Sequence, residues 1–297
     1  MNSFAQDLKQ SFKSYGVVQR LIVINVAIFL LMYVGDGLLR LFNIFNEPIS
    51  TFARNWFALP AAPFTFITRP WSLITYQFLH GGIFHILFNM LWLFFMGRLF
   101  AEYLGEKKLL AIYFWGGIAG AVFFMLAYNV FPFFSDALPF ATVVGASASV
   151  LAISVACATL LPDYPVALFV PTFVVKLKYI ALFQIAIDLL SVSGSNAGGS
   201  IAHLGGALFG FIFIKQLQKG NDLSAWLVKL IDSISGLFNK PKVKVVHKRQ
   251  TMDEKFNASK KSKQQEVDQI LDKISKSGYS SLTSHEKEIL FKASKEQ

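Results

Sequence analysis

Long apolar stretches alternate with short polar connections through most of this chain. A helix needs about 20 apolar residues to cross the roughly 30 Å hydrocarbon core of a bilayer. Six stretches are candidates for such helices, at residues 17–39, 83–104, 109–131, 147–161, 180–192 and 199–217. The pattern predicts an all-α polytopic membrane protein built on a bundle of six transmembrane helices.

Basic residues in the connections predict the direction of each span. If the N-terminus is cytoplasmic, the outer connections contain only Arg40, Arg54 and Arg69. The inner side then holds a larger set, namely Lys9, Lys13, Arg20, Arg98, Lys107, Lys108, Lys176, Lys178, Lys215 and Lys219. Because cytoplasmic loops carry an excess of Lys and Arg, both termini are predicted to be cytoplasmic. The proline-broken, aromatic loop over residues 41–82 is expected to lie half-submerged at the outer interface.

Composition supports a membrane protein and argues against a soluble globular domain. Hydrophobic residues make up 54% of the 297 positions, charged residues 15%, and the mean hydropathy is +0.48. A soluble domain is about 25% charged. Half of the net charge of +10 lies after residue 240. We expect this basic tail to face the anionic inner leaflet of the lipid bilayer, with no nucleic-acid partner.

The tail also has a helical pattern. Val267, Ile270, Leu271 and Ile274 form one apolar stripe that ends before Gly278. Residues 283–286, of sequence TSHE, form a capping-box pattern for a second helix. The predicted organisation is a cytoplasmic segment over residues 1–16, a membrane domain over 17–220, a basic linker over 221–263 and a small cytoplasmic helical hairpin over 264–297.

The fourth predicted span is too short for the bilayer. Its 15 residues extend about 22 Å at 1.5 Å per residue, so its outer end must begin below the membrane surface. Gly145 and Ala146 would then be irregular backbone at membrane depth, which is tolerated only where protein buries it or a water-filled cavity is lined. The sequence therefore predicts a wet pocket at this helix start.

Four polar side chains fall at a similar depth. His85 and Asn89 lie in the second span, Ser147 begins the fourth, and His203 is near the start of the sixth. These three spans run in the same direction, so all four residues are expected nearer the outer face. Polar groups inside a membrane are costly and usually functional.

These residue types suit acyl transfer. A serine can attack a carbonyl while a histidine takes its proton. His85 and Asn89 share a helix face, and Ser147 lies at a helix N-terminus, where free N–H groups favour negative charge. Such donors could hold a developing oxyanion.

Helix packing or metal binding could also account for these polar residues. A single intramembrane Ser, His or Asn is often only a packing residue, and GxxxG at Gly206 and Gly210 is a helix-packing motif. His80, His85 and His203 could bind a metal, but no cysteine or acidic residue lies near them in sequence, so no metal or cofactor is expected. Asp36 or Asp188 could orient a histidine, although nothing in the sequence places either one there.

In this order, the residues resemble the rhomboid family of intramembrane serine proteases. The matching pieces are PWSLITY at residues 70–76 with HGGIFHILFN at 80–89, GAS at 145–147, and AHLGG at 202–206 with Gly210. The resemblance implies a Ser147–His203 catalytic dyad. It implies an oxyanion hole made by His85, Asn89 and the Ser147 amide, supported by the backbone of Gly145, Gly206 and Gly210.

The resemblance also implies a six-helix rhomboid-like bundle that cleaves single-pass membrane proteins, with a bacterial inner membrane as the expected location. Two positions depart from the family pattern. Ala148 stands where Gly is usual, and its methyl group is expected to narrow the pocket. Leu151 replaces a Tyr that stacks on the catalytic histidine in many members, which is expected to leave His203 positioned by apolar packing alone.

Two rival functions remain open. A rhomboid-like pseudoprotease would bind membrane proteins without cleaving them. The departures from the family pattern at Ala148 and Leu151 are compatible with this function. A transporter would use the broken helix at Gly145 as its binding site, but it predicts inverted repeats, and the sequence shows none.

Overall fold

The computed structural model describes residues 16–43, 47–167, 174–229, 233 and 252–295. The chain divides into two compact units, Met1–Phe238 and Asn239–Gln297, and each is described by itself. Apart from Gly16, the predicted segment over residues 1–16 lies outside the described residues. Residues 230–232 and 234–251, which include much of the predicted basic linker, also lie outside the described residues.

The first unit is helical, as predicted. Its helices are α1 (Val17–Phe42), α2 (Ile49–Phe57), α3 (Pro63–Thr68), α4 (Ser72–Thr75), α5 (Ile83–Leu104), α6 (Glu106–Val130), α7 (Ser147–Leu160), α8 (Leu177–Leu190) and α9 (Ala197–Gln218). Four of these, α1, α5, α6 and α9, are long and apolar enough to cross a membrane. The prediction of an all-α polytopic membrane protein is confirmed. That α7 and α8, with 14 residues each, complete a set of six membrane-embedded helices stays a prediction.

The connection from α1 to α5 is an ordered layer of short elements. It contains α2, α3, α4 and the strand β1 (Leu59–Pro60), which pairs antiparallel with β2 (Thr142–Val143). The Trp71 indole N–H donates to the Trp56 carbonyl at 2.8 Å, and the two rings stack. Trp56, Phe64 and Trp71 are exposed, as expected for a loop at a membrane–water interface.

The connection between α7 and α8 also contains a strand pair. β3 (Pro165–Ala167) pairs antiparallel with β4 (Val174–Lys176). Lys176 and Lys178 both form ion pairs with Asp163, at 3.0 and 2.9 Å. Hydrogen bonds from Lys178 and Lys176 hold the pKa of the Asp163 carboxyl below its usual value. Both basic residues of this connection are therefore paired with a carboxylate of the same connection.

The short helix α7 forms the centre of the bundle. Every residue from Ala148 to Ala158 is buried, and α9, α6 and α5 pack around it. A helix that is apolar on all sides can be buried on all sides. Its length is therefore compatible with a helix that starts inside the protein rather than at its surface.

The Gly206 and Gly210 motif brings α9 against α7 at backbone distance. A Cβ atom at Gly206 would lie 2.1 Å from the Ala148 carbonyl oxygen, and one at Gly210 would lie 2.1 Å from the Ala152 carbonyl oxygen. No side chain fits at either position because backbone atoms cannot move aside. This contact places the first turns of α9, including His203, beside the start of α7.

Gly206→Ala should therefore destabilise the bundle and lower turnover together. Overpacking of this kind typically costs 1–3 kcal/mol, and about 1 kcal/mol shifts the unfolding midpoint of a domain this size by roughly 2–4 °C. Gly37→Ala is the matched control, because a Cβ there meets nothing within 4 Å. Thermal unfolding in detergent checks this, and equal midpoints for the two variants would contradict the close contact.

The second unit holds α10 (Met252–Ser277) and α11 (Ser284–Lys295), joined by a turn of 3-10 helix at Tyr279–Ser281. α10 ends before Gly278, whose φ is +76°. The predicted start at 264 differs from the structure, because α10 begins at Met252 within the expected linker. Lys, which occupies four of the twelve positions from Met252 to Lys263, is a good helix former even without an apolar stripe.

The predicted capping box forms at the start of α11. The Thr283 N–H donates to the Glu286 carboxylate at 2.7 Å, and the Glu286 N–H donates to the Thr283 hydroxyl at 3.3 Å. The Lys273 ammonium on α10 also binds this carboxylate at 2.8 Å. The Lys273 and Thr283 hydrogen bonds hold the pKa of Glu286 at about 2. One carboxylate thus caps α11 and joins the two helices.

Candidate active site

A cavity of about 540 Å³ opens at the start of α7, where the sequence predicts a wet pocket. Its walls come from α5, α7, α8 and α9. The lining is mostly apolar and contains a few polar side chains, namely His85, Asn89, Ser147, Gln184, Asp188, Asn196 and His203. The four polar residues that are predicted to lie at a similar depth therefore line one cavity. They are His85, Asn89, Ser147 and His203.

Ser147 and His203 are in direct contact. The Ser147 hydroxyl oxygen lies 2.6 Å from the His203 Nε2 atom. Ser147 is the first residue of α7, and His203 lies on the second turn of α9. The pair is separated by 56 positions in sequence and meets because Gly206 allows the two helices to touch. A serine hydroxyl bonded to an imidazole nitrogen is the arrangement that activates a nucleophile.

Gly145 shapes the entry to α7. Its φ is +130°, a value that residues with a side chain rarely adopt. A Cβ atom there would lie 2.8 Å from the His85 Nε2 atom and 3.3 Å from the Ser147 hydroxyl oxygen. The Gly145 N–H donates to the Tyr76 carbonyl at 2.9 Å. The ordered connection between α1 and α5 therefore holds this turn, and the missing side chain leaves space between the histidine and the serine.

His85 is held in one orientation by the loop before α5. Its Nδ1 atom accepts a hydrogen bond from the Gly81 N–H at 3.2 Å. Because Nδ1 accepts, the neutral ring carries its proton on Nε2. That nitrogen faces Gly145 and the cavity. His85 is therefore positioned as a donor toward any group bound next to Ser147.

Asn89 lies one turn below His85 on the same helix face. One side-chain N–H donates to the His85 carbonyl oxygen at 2.8 Å, which leaves the second N–H for the cavity that Asn89 lines. The first N–H groups of α7 have no intrahelical acceptor. The His85 ring, the Asn89 amide and the start of α7 thus present donors around the Ser147 hydroxyl.

The contact between Asp188 and His203 is the main feature of the site that the sequence does not predict. The Asp188 Oδ1 atom lies 2.8 Å from the His203 Nδ1 atom. The expectation that His203 is positioned by apolar packing alone is therefore wrong. The available signal was a carboxylate near the outer end of the fifth predicted span, at a depth similar to that of His203. Asp36 instead accepts from the Ser50 N–H and hydroxyl.

The two departures from the family pattern differ in their consequences. A Cβ atom at Gly120 would lie 2.6 Å from the Ala148 methyl carbon, so this methyl group points toward α6. Among the described residues that line the cavity, Ala148 is absent. The expectation that it narrows the pocket is wrong. Leu151 does line the cavity, one turn below Ser147.

His80 lies beside His85, with ring centroids 5.1 Å apart. His203 is engaged by Ser147 and Asp188. Within the described part of the chain, no three His, Cys, Asp or Glu side chains are grouped to hold a metal ion. The chemistry that the cavity offers is that of a nucleophile, a base and convergent hydrogen-bond donors, which together suit acyl transfer.

Comparison with known proteins agrees with this geometry. The family described as the Rhomboid domain matches residues 68–219, which contain all the cavity residues named above. Residues 250–296, the helical tail, match a family of unknown function (DUF6576). The tail is thus a recurrent unit with no assigned role.

Three curated relatives show how far the similarity extends. RHOMBOID-like protein 12, mitochondrial, of Arabidopsis thaliana is 30% identical over 223 residues, which is 71% of this chain and 61% of that protein. Rhomboid protease GlpG of Pectobacterium atrosepticum is 27% identical over 143 residues, covering 42% of this chain and 46% of the relative. Inactive RHOMBOID-like protein 8 of Arabidopsis thaliana is 34% identical over 82 residues, covering 28% and 23%.

This chain spans less than two thirds of the length of each of these relatives. Their names include both a protease and an inactive protein, so similarity alone does not assign an activity. The family match covers half of the chain and includes the helices that build the cavity. The chain belongs to the rhomboid family of membrane proteins.

Proposed function

We propose that this protein is an intramembrane serine endopeptidase in which Ser147 and His203 are catalytic. The observation that carries the proposal is the 2.6 Å contact between the Ser147 hydroxyl and His203 Nε2. It occurs at a helix start, inside a cavity, within a bundle of apolar helices. A serine that only packed in a membrane helix would more commonly bond to its own preceding turn.

Each polar residue of the cavity has a distinct role in the proposed hydrolysis of a peptide bond. His203 Nε2 takes the Ser147 proton as the hydroxyl oxygen attacks the scissile carbonyl carbon. The negative oxygen that forms is held by Asn89, the His85 Nε2–H and the Ser147 amide. His203 then protonates the leaving amine, and an acyl group remains on Ser147. Water, deprotonated by His203, attacks this ester and releases the second product.

The proposed substrates are single-pass membrane proteins. The cavity is bounded by α5 and α8, with Phe84, Phe88, Phe183 and Ile187 on its walls. An apolar segment can approach such a lining. A peptide bond inside a helix is hydrogen-bonded and hidden, so the substrate must unwind locally. We therefore expect small, helix-weakening residues around the cleaved bond.

The location is proposed in two parts. Long apolar helices and the family match indicate a membrane protein, and charge asymmetry supports cytoplasmic termini. A bacterial inner membrane stays a prediction that the relatives do not support, since two of the curated relatives are named as mitochondrial and chloroplastic.

The alternative is a rhomboid-like protein that binds membrane proteins without cleavage. One relative is named as inactive, and Leu151 departs from the family pattern. Against it stands the complete set of nucleophile, base and donors in one cavity. Reaction with a fluorophosphonate separates the two, because only an activated serine is phosphonylated.

The test combines labelling with cleavage. Purified protein in detergent is treated with a fluorophosphonate, and the labelled peptide is mapped by mass spectrometry. In parallel, cleavage of a single-pass reporter is followed on gels with and without labelling. We expect modification of Ser147 and loss of cleavage in proportion to it. Reporter binding without cleavage, together with an unlabelled Ser147, would favour the pseudoprotease.

Deleting the chain after residue 240 should leave reporter cleavage in detergent within about twofold of the full-length rate. Among the described residues, those that line the cavity all lie between Phe84 and His203, so the tail supplies none of them. Initial rates of both proteins at equal folded concentration check this. A tenfold loss with unchanged thermal stability would instead show that the tail acts on the active site.

A further inference from the structure

Three side chains from three helices form a continuous hydrogen-bonded chain. Asp188 on α8 contacts His203 Nδ1 at 2.8 Å, and His203 Nε2 contacts Ser147 at 2.6 Å. The carboxylate and the hydroxyl thus occupy opposite nitrogens of one ring. The dyad implied by the family resemblance contains only the second of these contacts.

The contact with Asp188 determines which ring nitrogen of His203 carries the proton. A carboxylate only accepts hydrogen bonds, so the neutral His203 ring must carry its proton on Nδ1. Nε2 then keeps its lone pair toward the Ser147 hydroxyl, as a general base requires. When His203 takes the serine proton, the resulting imidazolium lies next to a negative charge and is stabilised by it.

The burial of Asp188 supports a specific role. The residue is 8% exposed, at a position in an apolar helix. A buried carboxylate is costly unless it is paired, and here the His203 ring N–H is its partner. The cost of burying the charge is therefore offset by an interaction directed at the catalytic base.

The neighbouring wall of the cavity explains why such a partner is needed. Leu151 lies one turn below Ser147, where a ring could stack on the histidine, and its aliphatic side chain cannot orient an imidazole by stacking. Asp188 constrains both the position of the ring and the location of its proton. It can therefore replace the missing aromatic contact.

We propose that Asp188 is a positioning residue that fixes the tautomer and orientation of His203, so that the site works as a Ser147–His203–Asp188 triad. This inference rests on the proposed protease function. Asp188 acts on the substrate only through His203. Its loss should therefore lower turnover and leave substrate binding and folding largely intact.

The test compares Asp188→Asn, Asp188→Glu and the control Asp36→Asn. Asp36 is also 8% exposed in an apolar helix, but its carboxylate binds Ser50 in the outer loop. Losing the triad carboxylate of a soluble serine protease lowers kcat by about 10⁴-fold. Because this cavity is open, we expect a kcat loss on the order of a hundredfold for Asp188→Asn, with KM within about twofold. Asp188→Glu should recover about tenfold of that loss, and Asp36→Asn should keep the wild-type kcat.

A second readout is independent of cleavage. Proton NMR of protein with ¹⁵N-labelled histidine should show a strongly deshielded Nδ1 proton of His203. This signal should disappear in Asp188→Asn and persist in Asp36→Asn. An Asp188→Asn kcat within threefold of wild type would overturn the inference. The inference would also be overturned if Asp188→Asn lowered both kcat and the unfolding midpoint and Asp188→Glu restored neither. Wild-type protein no more active than Ser147→Ala would instead refute the proposed function.

Discussion

Ser147→Ala is expected to abolish cleavage of a single-pass reporter while the protein still inserts and folds. The change removes one hydroxyl whose partner, His203 Nε2, faces an open cavity where water can replace it. Removing the nucleophile of a serine protease lowers kcat on the order of a millionfold. Reporter cleavage in detergent, measured together with the unfolding midpoint, checks both parts of this prediction.

Ser149→Ala is the matched control for this result. Ser149 lies in the same first turn of α7, but its hydroxyl donates to the Gln77 side-chain oxygen at 3.1 Å, away from His203. We expect this variant to lose some stability, about 1 kcal/mol for a buried hydrogen bond, and to keep its activity. If Ser147→Ala retained more than a tenth of the wild-type rate, Ser147 would not be the nucleophile.

Much of the fold follows from simple sequence properties. The bounds of α5 are those predicted, and α6, α7 and α9 begin and end within a few residues of their predicted spans. For α5, α6 and α9 the apolar length matches the bilayer thickness, whereas α7 is shorter. The common depth of His85, Asn89, Ser147 and His203 also follows from span direction alone. The small residues of α9 then explain how His203 reaches α7.

Other features depend on three-dimensional packing. No spacing rule connects Asp188 to His203, because the two lie on separate helices joined by a turn of irregular geometry. Nothing in the sequence shows that the Ala148 methyl group points at Gly120 rather than into the cavity. That direction is set by the rotation of α7 about its own axis, which tertiary contacts with α6 and α9 determine.

Hydrophobic periodicity alone does not predict where α10 begins. Hydrophobic periodicity marks only the part of a helix that packs against something. Residues before 264 carry no apolar stripe, so the pattern predicts a linker where the structure has helix. Helix propensity, summed over such a polar window, gives the better indication there.

Asn89→Ala is expected to lower kcat by about a hundredfold to a thousandfold with little change in KM. Its free N–H is one of the donors available to the developing oxyanion, and loss of one such donor typically costs about 3–4 kcal/mol in the transition state. Substrate binding depends mainly on the apolar cavity walls, which this variant leaves in place. Steady-state kinetics with a single-pass reporter separate the two parameters.

Asn25→Ala provides a structural control that is close in geometry. Asn25 is buried in α1, and its side-chain amide donates to the carbonyl four residues earlier at 2.8 Å, as that of Asn89 does. It also contacts the Tyr113 hydroxyl at 3.3 Å, outside the cavity lining. We therefore expect Asn25→Ala to lower the unfolding midpoint without a comparable loss in kcat. If the two variants lost stability and kcat alike, or if Asn89→Ala raised KM alone, Asn89 would be a packing residue, and oxyanion stabilisation would rest on His85 and the Ser147 amide.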